Sequence, residues 1–170
     1  MGILSFFKDA GEKLFGHKET EAAAAQVSTA PDPAAAQARL DELNHAAAEA
    51  IKNYIATQNL SAQNLEVAFD GATQSVTVSG VAPDQATKEK IVLCCGNVTG
   101  VAHVDDQLTV ETPADESQYY TVVSGDTLSK IAKKYYGNAN AYNAIFEANR
   151  PMLSSPDRIY PGQVLRIPPA

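Results

Sequence analysis

His103, Asp105 and Asp106 come closest to a metal-ligating pattern in the sequence, lying in the run VAHVDDQLTV. That run alternates apolar and polar residues as a strand does, and neighbouring strand residues point to opposite faces, so these side chains do not converge on one ion. His17 and His45 stand elsewhere, and neither a Cys–His spacing nor a nucleophile motif is present, so the chain reads as a non-enzyme. Cys94 and Cys95 are adjacent and unsuited to bridging each other; they read as core and helix filler. The remaining chemistry is in the main chain. Gly11 interrupts a run that otherwise has helical spacing, and a break there releases carbonyls between Phe7 and Glu12. A second release point is Gly96-Asn97-Val98-Thr99-Gly100, after a helical stretch. The last carbonyls of a helix lack intrahelical partners, and the negative end of its dipole favours a cation. Each glycine also has a plainer reading: Gly96 as a helix cap, Gly100 as a turn, Gly11 as a frayed end.

The elements that must position these loops follow from periodicity. Ile3, Phe7, Ala10 and Leu14 predict an amphipathic helix over 3–15. Its polar face is charge-balanced rather than basic, so it docks on the protein and not on a membrane. Residues 16–37 are Ala-rich with Pro31 and Pro33, and read as a tether. Leu40, Leu43, Ala47, Ala50, Ile51, Tyr54 and Ile55 then form one helical stripe. Leu65, Val67 and Phe69, a turn at Asp70-Gly71, and Val76 and Val78 predict a hairpin. A second helix starts near Pro83-Asp84 and stops at Gly96 in a left-handed conformation. A final strand carries Ala102, Val104, Leu108 and Val110 inward, with Asp106 in the same phase suggesting a bulge or a strand end. This unit reads αββαβ. After a polar linker, a short strand at Tyr120, helices at 127–136 and 140–149 and a strand at 164–167 read βααβ.

The expected fold class is therefore α+β in two small domains. An amino-terminal helix (1–15) docks on the first domain, followed by the linker (16–37), the first domain (38–112), a second linker (113–118) and the second domain (119–169). Composition agrees with small cores: hydrophobic residues make up 45%, but Trp is absent. The net charge of −7 excludes a nucleic-acid partner, since phosphate binding needs excess Lys and Arg. The acidity is confined to residues 1–112, with 7 basic and 15 acidic groups; residues 113–170 carry 6 and 5. No apolar run approaches the roughly 20 residues that span a bilayer. The amino end lacks the basic start of a secretory signal, so the expected location is the cytoplasm.

Two stretches carry family resemblances. YTVVSGDTLSKIAKKYYGNANAYNAIFEANR and IYPGQVLRIP, within Tyr120–Pro168, resemble the LysM domain. That resemblance implies a groove for N-acetylglucosamine polymers such as peptidoglycan, at Gly125, Asp126 and Thr127 with Ile159 and Tyr160 opposite. Without an export signal, this envelope role is the alternative reading. FDGATQSVTVSGVAPDQATKEKI and GNVTGVAHVDDQLTV resemble a BON domain. The order of an amino-terminal KDAGEKLF segment, BON and LysM is similar to a family of cytoplasmic bacterial potassium-binding proteins. It implies a K+ sensor, read as a monomer, with the ion held by backbone carbonyls. By position these are Phe7, Ala10, Glu12, Gly96, Val98 and Val101, with an intramolecular BON–LysM contact in the bound state. The physics agrees with such a donor set. A monovalent ion gains little from a carboxylate cage suited to divalent cations, whereas a ring of carbonyls replaces its water shell.

Overall fold

Helix α2 (Pro33–Thr57) begins where Asp32 can cap it. The Asp32 carboxylate accepts the Ala35 N–H at 3.2 Å, and Pro33 sits in the first turn, where its missing donor costs nothing. This computed structural model describes residues 2–170. Leu40, Ala47, Ala48, Ile51 and Ile55 form the buried stripe of α2. Strands β2 (Gln63–Asp70) and β3 (Ser75–Asp84) pair antiparallel, as the hairpin pattern predicts. Asp84 then accepts the Thr87 N–H at 2.7 Å and caps α3 (Gln85–Gly96). That helix is the crossover that lets β4 (His103–Thr112) lie parallel to β3. Helices α2 and α3 bury their apolar residues with Val76, Val78, Val104 and Leu108 of the sheet in one core.

The second unit is built from β5 (Gln118–Thr121), α4 (Leu128–Tyr136), a 3-10 turn at Ala139–Ala141, α5 (Tyr142–Ala148) and β6 (Val164–Ile167). Thr127 caps α4 through the Lys130 N–H, and Gly137 ends it in the left-handed conformation. Leu128, Ile131, Ile145, Leu153 and Leu165 fill a separate core beneath the β5–β6 pair.

Four expectations are corrected. Residues 3–15 do not form a helix. Gly2–Ser5 is a strand, β1, paired antiparallel to β4 with Leu4 opposite Val104, which makes the sheet order β1-β4-β3-β2. Leu4 and Phe6 pack on the core while Ile3 and Phe7 are exposed, so the period is two rather than 3.6. The free edge of β4 supplies the hydrogen bonds that a helix would otherwise have made internally. The Ala-rich stretch is not a loose tether, because it contains α1 (His17–Gln26), which lies against α2 with Thr20 and Ala23 buried. Gly96 is not a left-handed stop; it is the last residue of α3, and Asn97 is the cap. Its lack of a side chain serves space, because a Cβ there would overlap the Phe6 ring. Asp106 marks neither a bulge nor an end. β4 continues to Thr112 with unbroken β3 pairing, and the inward Asp106 carboxylate meets Lys88 of α3 at 3.5 Å.

The two units touch along α3 and β6. The Arg166 guanidinium donates to the Glu89 carboxylate through Nε at 2.8 Å, and to Ser117 Oγ and the Ala148 carbonyl. Both charged side chains are nearly sealed from water, at 9% and 3% exposure.

Candidate cation site

Chain segments 6–12 and 97–102 run side by side. Phe6 N–H donates to the Ala102 carbonyl at 2.8 Å, Glu12 N–H to Asn97 at 2.9 Å, and Thr99 N–H back to Glu12 at 2.9 Å. Glu12 and Val98 thereby form an isolated parallel bridge. Gly100 N–H donates to the Lys8 carbonyl, and Thr99 Oγ1 to that of Gly11 at 3.0 Å. Gly11, at φ +107, is needed here, because a Cβ would overlap the Asn97 carbonyl. Gly100, at φ +100, faces His17 at the start of α1. The start of α1 also reinforces the pairing, since Glu21 accepts from Lys8 Nζ at 3.1 Å and from the Gln74 amide.

The six carbonyls singled out in the sequence differ in their partners. Phe7 accepts from Ala10 N–H at 3.0 Å, Glu12 from Thr99, and Val98 from Val101 N–H at 3.1 Å. Those of Ala10, Gly96 and Val101 accept no hydrogen bond from the described residues. Gly96 and Val101 are buried, where an unpaired carbonyl is costly. Such oxygens could hold a dehydrated cation, and each singly bonded carbonyl keeps a second lone pair. Among the described residues, no group of three or more His, Cys, Asp or Glu is placed to hold a metal ion. His103 is exposed beside Ser5, and Asp106 is turned into the core toward Lys88.

Beside these segments, a cleft of about 250 Å³ separates the two units and is lined by Glu12, Tyr54, Asn97, Arg158 and Tyr160, among others. Burial, with a smaller contribution from the Glu12 carboxylate, pushes the Tyr160 hydroxyl up to about 12. Tyr160 lines this cleft and is not among the residues that line the groove beside Asp126. Ile159 alone of that pair faces a groove of about 440 Å³ with Asp126, Thr127 and Tyr142. Gly125 lies in the turn before them, and its carbonyl accepts from Lys130 Nζ. The Asp126 carboxylate is occupied by the Val123 N–H at 2.9 Å and the Tyr120 hydroxyl at 2.7 Å, which hold it below the usual carboxylate range. Asp126 and Thr127 thus shape a turn and a helix start before any ligand is considered.

Sequence reasoning missed Asn97 and Thr99, whose side chains tie this loop to its surroundings. Their only signal was two polar residues between glycines at the end of an apolar helix.

The fold and this paired loop define a two-domain protein. The BON domain family model matches residues 44–112 and the LysM domain model matches residues 120–168. Potassium binding protein Kbp of Escherichia coli O6:H1 is 47% identical over 168 residues, which cover 99% of each chain, and this chain belongs to the same family. An uncharacterized protein of Deinococcus radiodurans is 55% identical over 49 residues, 29% of this chain and 19% of its own.

Proposed function

We propose that this chain binds potassium. The ion is held by the backbone carbonyls of Phe7, Ala10, Glu12, Gly96, Val98 and Val101, and the LysM domain docks on the BON domain in the bound state. One observation carries the reading: two glycine-containing segments, distant in sequence, lie side by side, and among the described residues no donor reaches the Ala10, Gly96 and Val101 carbonyls. The relative's name and its near-complete overlap support the same ligand. A surplus of acidic groups in the BON half adds a modest attractive field. The protein then acts as an ion sensor whose domain arrangement reports occupancy.

Titration calorimetry with K+ on ion-free protein tests the proposal directly. Heat of binding for K+, with no comparable heat for Na+, is expected, and no K+ binding overturns it. Binding to the folded form alone also raises the melting temperature in KCl above that in choline chloride at equal ionic strength. Gly96→Val is expected to weaken binding far more than Val98→Ala. The new side chain strikes the Phe6 ring and displaces a ligating peptide, whereas trimming Val98 leaves its carbonyl in place. Equal affinities for the two variants contradict the assignment of Gly96.

The LysM match and the open groove beside Thr127 favour a second reading, binding of N-acetylglucosamine chains. Saturable pull-down on purified peptidoglycan supports it, and failure to sediment removes it.

A further inference from the structure

Two asparagine side chains stand in for a third strand along the open edge of β6. Arg166 N–H donates to Asn149 Oδ1 at 2.9 Å, and Asn149 Nδ2 returns a bond to the Arg166 carbonyl at 2.9 Å. Two residues earlier, Val164 N–H donates to Asn97 Oδ1 at 2.9 Å, and Asn97 Nδ2 donates to the Val164 carbonyl at 2.8 Å. Peptide groups two apart in a strand face the same edge, so each side-chain amide imitates one peptide of a neighbouring strand. Asn149 belongs to the LysM domain itself, whereas Asn97 reaches across from the BON domain.

The main chain of Asn97 is tied just as firmly. Its N–H donates to the Leu93 carbonyl of α3 at 2.9 Å, and its carbonyl accepts the Glu12 N–H at 2.9 Å. One residue thus joins the end of α3, the amino-terminal segment and the edge of the other domain, and it lies between Gly96 and Val98. The amino-terminal segment meets the same part of LysM, since a Cβ on Gly162 would come within 2.8 Å of Ala10 Cβ.

We propose that Asn97 is the positioning residue that couples ion occupancy to LysM docking, an inference that rests on the potassium reading above. Turning the Gly96 carbonyl onto the ion fixes the peptide plane before Asn97, and the Asn97 carbonyl, which accepts the Glu12 N–H from the same ion-holding segment, fixes the plane after it. The direction of its Cα–Cβ bond follows, and the amide is held in register with Val164. Without the ion those peptides turn more freely, and the amide loses its fixed aim. The coupling is reciprocal, so docking also tightens ion binding.

The test uses the full chain with two variants, Asn97→Ala and Val164→Pro. Of the backbone hydrogen bonds at Val164, proline removes only the one its N–H makes on the open edge, away from β5. Potassium affinity is measured by calorimetry, and the radius of gyration by small-angle scattering in KCl and in choline chloride. The parent chain is expected to contract on binding K+. Both variants are expected to bind K+ about tenfold more weakly and to show no contraction. Variants that match the parent in affinity and contraction overturn the proposal. Complete loss of binding in Asn97→Ala, with Val164→Pro unchanged, also overturns it and makes Asn97 part of the cage. A parent chain that binds K+ without contracting defeats the coupling alone, whereas one that binds none defeats the potassium reading as well.

Discussion

Gly11→Ala is expected to melt at the same temperature in KCl as in choline chloride, while the parent chain melts higher in KCl. Gly11 sits at φ +107, a conformation that an L side chain rarely adopts. The added Cβ would overlap the Asn97 carbonyl and lie 2.8 Å from Val98 N, so the neighbours it strikes are backbone and cannot swing aside. The clash falls on the Glu12–Val98 bridge, where the two carbonyl-bearing segments meet. An ion present at a hundredfold excess over its dissociation constant adds about 2.7 kcal/mol to a folded state that alone binds it. Losing the cage loses that increment. Gly2→Ala serves as the control, because nothing lies within 4 Å of a Cβ at Gly2. Scanning calorimetry in the two salts reads the result, and a surviving K+ shift in Gly11→Ala would refute it.

Arg166→Ala carries the largest expected cost to stability. It leaves Glu89 buried and charged with its main partner gone, a situation that costs about 3–5 kcal/mol in buried pairs. Replacing both members, as Glu89→Met with Arg166→Met, is expected to recover most of that loss, since a well-packed apolar pair avoids burying charge. Urea unfolding of the three chains measures both effects, and a double variant as weak as Arg166→Ala would contradict the argument. The pair also sets an acid limit. Burial alone would raise the Glu89 carboxyl, but hydrogen bonds from Gln85, Ser117 and Arg166 outweigh it and hold the group below its ordinary value of 4.5. A carboxyl depressed in the folded state stabilises fully above its unfolded value, and that contribution is lost as pH falls through the folded one. Parent stability is therefore expected to drop on acidification below the ordinary Glu range, with a flatter profile in the double variant.

The BON and LysM elements were legible because each carries its own local signal. Asp32, Asp84 and Thr127 cap their helices as their positions suggest, and the stripe from Leu40 to Ile55 has a clear helical period. β1 was not legible, since four residues become a strand only because the edge of β4, about a hundred residues later, is free to pair. The spacing of Ile3, Phe7 and Ala10 mimicked a helix in its absence. α1 was hidden for a related reason: an alanine run has little apolar contrast, and its burial depends on Thr20 meeting the turn at Gly71. Gly96 was identified as a special position but for the wrong cause, because the Phe6 ring that demands the space arrives from the far end of the chain. The paired segments themselves required knowing that Gly11 and Asn97 come together. Glycine and helix-end chemistry marked each segment separately, but no rule of periodicity or turn chemistry links residues so far apart, so only the family resemblance joined the two.

The place of β1 in the sheet has a practical consequence for anyone labelling this protein. Gly2 pairs opposite Asp106 and lines the same hollow as Lys88 and Tyr119, only a few residues upstream of Phe7. A fluorescent fusion or affinity tag attached ahead of it would tug on the segment that carries half of the proposed carbonyl cage. At the opposite terminus, Pro169 and Ala170 are exposed beyond the last strand, so reporters belong there.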